Sequence, residues 1–221
     1  MSCFSGPEIV NDGLVLHLDA ANPRSYTGSG TVWKDLSGNG NDGMLINGVG
    51  YSTDNNGSLV FDGVNDVISV SVSKNATCTF ECWANLTSGS NNVMLFNAGD
   101  VSAGPDLFFT GGKICWNTWN AANNPFGNIP ANAYNSFHHY VVINDSTSTT
   151  KLYFDGAFLG AASYRSAAAT TVFTIGKAGA GGGDSGYPWR GRIASSLIYN
   201  RALSAQEIKQ NFEATRDRYG V

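Results

Sequence analysis

Charge is what this sequence has least of: Asp, Glu, Lys and Arg together make up 14% of its 221 residues, against roughly a quarter in an ordinary soluble chain. The 13 Lys and Arg are scattered and the net charge is −4. Nothing therefore gathers the cations whose contacts release counterions from a phosphate backbone, and nucleic acid is not an expected partner. No window approaches the roughly 20 apolar residues of a membrane span, so no membrane association is expected either. The opening MSCFSGPEIVNDG lacks the basic start and apolar stretch of a secretory signal. The expectation is a chain made in the cytoplasm and not exported by that route.

Cysteine is also sparse. Cys3, Cys78, Cys82 and Cys115 have neither CxxC spacing nor the density of a disulfide scaffold. On a strand, Cys78 and Cys82 would face the same side roughly 13 Å apart, too far to bond, and all four read as reduced. Glutamate is equally sparse: Glu81 is the one of four that falls within the β-rich body, and ExDxE is absent. Glycoside hydrolysis needs two carboxylates about 5 to 9.5 Å apart, so no enzymatic activity and no catalytic residue are expected. There is no GxSxG, no GxxxxGK[ST], and no GxGxxG opening a helix, which removes the nucleophile elbow and the phosphate loops. His138 and His139 are adjacent and on a strand would face opposite sides, so they read as core or edge residues, as does His17.

What the sequence does have is alternation with period two, the signal of half-buried strands. In LVLHLDA, Leu14, Leu16 and Leu18 share a face; in DVISVSVS, Ile68, Val70 and Val72 do, with serines opposite. SLVFDG, TFECWANL, VMLFNAG, DLFFT, KICW, HHYVVIND, KLYFDG, AFLG, VFTIG and RIASSLIYN read likewise. Gly111-Gly112 and Asp155-Gly156 are hairpin turns between them. About a dozen short strands divided by Gly, Asn and Asp predict an all-β fold, a two-sheet antiparallel sandwich or jelly roll. A single short helix is predicted over 205–217: Ser204 and Glu207 form a capping box, Leu203 and Ile208 a hydrophobic staple, and Ile208 and Phe212 an apolar stripe. The organisation is an N-terminal arm, 1–12, and one domain, 13–221.

Residues 33–45, WKDLSGNGNDGML, raise the question of a metal. Read as an EF-hand, Asp35, Ser37, Asn39 and Gly40 fit, but position 12 is Ile46 where a bidentate Glu must stand. Ser37 to Leu45 matches one nonapeptide of a calcium-binding β-roll, yet no second repeat follows. What remains is a surface turn in which Trp33 anchors the segment in the core and Gly38, Gly40 and Gly43 supply positive φ. Two long irregular segments, 116–137 and 178–189, carry aromatics and Asn suited to sugar stacking or a protein interface. Candidate ligand or partner contacts are Trp116, Trp119, Asn120, Phe126, Tyr134, Tyr187 and Trp189; packing beneath a long loop is the alternative for each.

Taken in order, GLVLHLDA, WKDLSGNGNDG, SLVFDGVNDVISV, TFECWANL, SFHHYVVINDSTSTTKLYFDGAFLG, FTIGKA and WRGRIASSLIYNRALSAQEIKQNF resemble the concanavalin A-like, laminin G-like jelly-roll family over roughly residues 13–213. The resemblance implies a domain that binds glycans or proteins without catalysis, often with a structural calcium near a sheet edge. Its candidate calcium ligands here are Asp35, Asp62 and Asp66, against the alternative that Asp62 and Asp155 only make Asx turns before Gly. The chain departs from the family pattern at Ala194 and Ser195, where Asp is common, and at Phe137, where Trp is common.

The stretches GPEIVNDGLVLHLDAANP and WKDLSGNGNDG are in turn similar to structural proteins of tailed bacteriophages. That similarity implies a virion surface protein, a capsid decoration or head/tail-fibre component. Its partners would be other virion proteins of capsid or tail and a cell-surface glycan, with a homo-oligomer left open. The alternative is a free lectin or carbohydrate-binding module, calcium-dependent or not.

Overall fold

The computed structural model describes residues 7–73, 75–89, 91–97, 106–117, 124–145, 149–163, 172–177 and 186–221. In chain order the strands are β1 (Leu14–Asp19), β2 (Val32–Trp33), β3 (Gly43–Ile46), β4 (Gly50–Ser52), β5 (Ser58–Asp62), β6 (Val67–Ser71), β7 (Cys78–Leu86) and β8 (Val93–Asn97). They continue as β9 (Asp106–Thr110), β10 (Lys113–Asn117), β11 (Pro125–Asn128), β12 (Phe137–Asn144), β13 (Thr149–Phe154), β14 (Ala157–Ser163), β15 (Val172–Ile175) and β16 (Arg190–Tyr199), followed by helix α1 (Ala205–Thr215). They form two eight-stranded sheets. One runs β14-β13-β12-β7-β16-β5-β4, with β1 also on β16; the other runs β11-β10-β9-β8-β15-β6-β3-β2. The strand pairings are antiparallel, so the expected two-sheet antiparallel jelly-roll sandwich is the observed fold.

Alternation decides which side chains fill the space between the sheets. Along β7, Cys78, Phe80, Cys82, Ala84 and Leu86 point inward, and Ile68, Val70 and Val72 meet them from the other sheet. Phe80, Phe96 and Phe173 form the aromatic centre, with Phe80 stacked on Phe173 at 5.5 Å between ring centroids. Trp33 is fully buried in this core, as its segment predicts. The three leucines of β1 do not share a face throughout. A register shift between Leu14 and Leu16 in the pairing with β16 leaves Leu16 and Leu18 in the core and turns Leu14 to a second cluster. At one edge the sheets close on each other: a Cβ on Gly160 of β14 would sit 2.0 Å from the Phe126 carbonyl oxygen of β11, so only glycine fits.

Both expected hairpins are present. Gly111 and Gly112 have φ of 55° and 75°, and Asp155 and Gly156 have 49° and 72°, the left-handed pair of a two-residue type I′ turn. Asp155 does not make an Asx turn. Its carboxylate instead accepts from the His139 amide at 3.0 Å and meets His138 Nδ1 at 2.8 Å.

Helix α1 packs on the outer face of the β14-to-β4 sheet through Ile208 and Phe212. The capping box forms as expected, with the Glu207 amide donating to Ser204 Oγ and the Ser204 amide to Glu207. The staple pair Leu203 and Ile208 is buried together with Val10, Val141, Leu197 and Tyr199. The α-helix stops at Thr215, two residues short of the expected 217, and tightens into a 3-10 turn over Arg216–Arg218.

Candidate ligand-binding site

Where α1 no longer covers the sheet, its outer face opens into a cleft of about 370 Å³. Three strand ends build it: the end of β5 with Asp62, the end of β7 with Asn85 and Thr87 just beyond, and the start of β16 with Arg190 and Arg192. Asn135 closes the side. A second hollow of about 260 Å³ adjoins it, lined by Asn91, Asn92 and Pro188, and Arg190 stands in the wall of both.

Backbone hydrogen bonds fix these loops to the sandwich. The Thr87 amide donates to Arg190 O at 3.1 Å, Asn135 N to Leu86 O at 2.8 Å, and Met94 N to Tyr187 O at 2.9 Å. The Ser88 amide donates to Asn135 Oδ1 at 2.9 Å. Below them Trp189 is fully buried, 5.4 Å from Phe109 and perpendicular enough to pack edge-on, which anchors the start of β16. Gly191 is obligatory: with φ of 145°, a Cβ there would lie 2.0 Å from Asn85 O. Asn92, Asn135 and Tyr187 all have positive φ, at 57°, 62° and 52°. For tyrosine that is a genuine strain, held by the Met94 and Trp189 hydrogen bonds on either side of it.

The turn FDGVND forms the cleft's acidic lip. Asp62 Oδ1 accepts from the Val64 amide at 2.7 Å, an Asx turn, and Asp66 Oδ2 accepts from the Asp62 amide at 3.0 Å. Asp66 is buried, and that burial together with the neighbouring Asp62 charge pushes its carboxyl up.

The donor set does not suit calcium. Asp35 is far from the other two: its loop bonds to His17, which pairs with Leu197 of β16, whereas Asp62 pairs with Arg190. Seven strand residues separate those positions, roughly 23 Å. Both Asp35 oxygens are already occupied, Oδ1 by the amides of His17 and Ser37 and Oδ2 by Ser37 Oγ–H and the Asn41 amide, at 2.7 to 3.0 Å. Among the described residues no three carboxylate, His or Cys side chains converge as a metal would require. Asp35 is the hub of the WKDLSGNGNDGML turn. In that turn Gly38 and Gly40 have the expected positive φ but Gly43 does not; it lies in β3 and lacks a side chain because Ile68 and Leu18 press on it.

Several expected contact residues are corrected by burial. Trp116 and Phe126 pack together in the core at 6.3 Å between ring centroids, and Trp189 is the buried anchor described above. All three are buried in the core. Trp119 and Asn120 lie outside the described residues. Tyr134 is half-buried, bridging to Leu86 beside Asn135, and Tyr187 is exposed, edge-on to Phe108 at 4.9 Å. The polar side chains that line the cleft, Asn85, Thr87, Asn135 and Arg190, were not among the expected contacts. They come from separate chain segments, so no local motif contains them.

A family model described as the concanavalin A-like lectin/glucanases superfamily, of the laminin G type, matches residues 56–209. The chain belongs to that superfamily. No curated protein matches the chain significantly. Among solved structures, the botulinum neurotoxin serotype D binding domain is similar at a TM-score of 0.70 and 16% identity, over 92% of this chain and 52% of that one. Trypanosoma rangeli sialidase in complex with the inhibitor DANA is similar at 0.69 and 19%, over 96% of this chain and 35% of that one. A mutant of that sialidase displaying trans-sialidase activity gives 0.68 and 20%, over 95% and 34%. The chain thus spans about half of the toxin domain and a third of the sialidases, and what it shares with them is the concanavalin A-like jelly roll.

Proposed function

We propose that this domain binds a glycan in the cleft at the β5–β7–β16 end, without catalysis. The observation that carries the reading is the lining itself: Asn85, Asn135, Thr87 and Arg190, polar residues from three separate segments, line one hollow of about 370 Å³. Neutral donors and acceptors on a rigid rim are the chemistry that hydroxyl-rich ligands need. Exposed Tyr187, strained into its position, supplies an aromatic face beside the second hollow. The fold likeness to a neurotoxin binding domain and to sialidases supports the reading only by analogy. Binding without hydrolysis is favoured because, among the described residues, Asp62 of the first hollow is the one carboxylate lining either, and paired-carboxylate chemistry needs two.

The setting we propose is the surface of a tailed-phage virion, on a capsid or tail partner. The likeness of the chain's first blocks to such structural proteins favours it, as does a surface poor in charge and rich in Asn, Gly and Ser. A free lectin is the competing setting. A glycan array tests the site: binding should be detected and should vanish in Thr87→Trp, which fills the cleft, while the melting temperature stays near that of the parent. A blank array, or binding indifferent to the filled cleft, overturns the reading. Mass spectrometry of purified particles tests the setting, and absence of the chain from them removes it.

A further inference from the structure

Among the described arginines, Arg190 is one of two that no carboxylate pairs. Arg192 is paired with Asp54, Arg201 with Asp12 and Glu207, Arg216 with Glu213 and Arg218 with Asp19. Arg190 has no ion pair or side-chain hydrogen bond among the described residues, although Asp62 is its cross-strand neighbour on the same face. The reason is local. Asp62 Oδ1 is drawn into its own turn by the Val64 amide, and Asp66 holds the Asp62 backbone from beneath. Arg24, also without an ion pair, stands on an open surface turn, whereas Arg190 forms part of both hollows. Arg190 is thus an exposed cation that borders two polar concavities and has no side-chain partner among the described residues.

We infer that the glycan recognised here is acidic, carrying one carboxylate that Arg190 receives while the asparagines and Thr87 bind neighbouring hydroxyls. This rests on the glycan-binding reading above and specifies its ligand. A planar guanidinium matches a planar carboxylate with two parallel hydrogen bonds, a geometry that lysine cannot copy. The ligand is a sparsely charged sugar and not a polyanion: Asp62 lies in the same cleft, Arg192 is already neutralised by Asp54, and the chain carries a net −4. Each disfavours a densely sulfated or phosphorylated chain, while a single carboxylate among hydroxyls meets one cation and several neutral partners.

The test uses an array pairing oligosaccharides that end in sialic or uronic acid with their carboxyl-reduced alcohols, alongside neutral and heavily sulfated glycans. The parent should bind the acids at least tenfold more tightly than the alcohols. Arg190→Gln should abolish that preference, and Arg190→Lys should recover only part of it, with melting temperatures confirming that both variants are folded. Equal binding of acids and alcohols by the parent, or a preference that survives Arg190→Gln, overturns the inference yet leaves glycan binding standing. Preference for the sulfated chains also overturns it, in favour of a polyanion. A blank array of neutral and acidic glycans alike overturns both readings together.

Discussion

Glu81 and Asn85 lie on the same strand and the same outward face, four residues apart in TFECWANL, and have opposite fates. Glu81 is sealed beneath α1. Asn211 Nδ2 donates to Glu81 Oε2 at 2.7 Å and to the Tyr199 hydroxyl at 2.9 Å, while Asn211 Oδ1 accepts from the Val10 amide. Tyr199 in turn donates to Val10 O, and His139 Nε2 lies 2.9 Å from Glu81 Oε1 at an angle too oblique for a hydrogen bond. Asn85 instead faces the cleft among Arg190, Thr87 and Asn135. Polar residues of the same kinds thus do two jobs on one sheet. Where a helix and the N-terminal arm close over them, Glu81, Asn211 and Tyr199 bond to one another and to Val10 and fasten the fold; where no element arrives, Asn85 lines an open cleft.

The largest effect should come from breaking the closed cluster. Asn211→Leu preserves helix propensity but strands the Val10 amide and a buried Glu81 carboxylate oxygen, a change that costs about 3 kcal/mol. For a domain of this size that is a fall of roughly 6 to 12 °C in melting temperature. Glycan binding at the cleft should be unchanged below the melt. A variant as stable as the parent would mean that Glu81 and Asn211 do not act as the fastening.

The strands, the core and the helix cap were legible in the sequence because each is a local pattern. Ser204 and Glu207 make their box at a fixed spacing, and the inward residues of β6 and β7 follow the pleat. Leu14 escaped because a bulge against β16 is set by the partner strand and not by LVLHLDA itself. Trp116, Phe126 and Trp189 were expected as contacts and are core for a related reason: a large ring is equally suited to a sugar and to a core, and only the meeting of two sheets decides which it meets. The cleft could not be read at all from one segment. Arg190 and Asp62 are 128 residues apart and neighbours only through the β5–β16 pairing.

A middle-sized effect is expected at the turn that looked most like a metal loop. Asp35 lies at the opposite end of β16's length from the cleft and serves the closed side of the comparison, since all four of its acceptor positions are filled by its own loop and by β1. Asp35→Ala should cost about 2 kcal/mol through the missing charge-assisted bonds and the part-buried amides they leave behind. Adding calcium or a chelator should move the parent's melting temperature by nothing measurable, because a ligand bound to the native state alone would have to stabilise it. A calcium-dependent shift abolished by Asp35→Ala would return the loop to the metal sites.

The smallest effect on stability should come from the residue with the largest effect on binding. Arg190→Ala removes a side chain that is exposed and has no ion pair among the described residues, so the change in stability should stay within about 0.5 kcal/mol. Without a carboxylate partner the guanidinium gives the native state little electrostatic return, and what the substitution takes from the fold is the packing of the aliphatic stem over Gly63. Were Arg190→Ala instead to cost as much as Asn211→Leu, Arg190 would belong with Glu81 and Asn211 among the fastenings, and the contrast between a satisfied and an open half of this sheet would collapse. A stable variant that no longer distinguishes an acidic sugar from its alcohol would give the contrast its functional meaning, since only a group that the fold leaves unpaired is free to pair with a ligand.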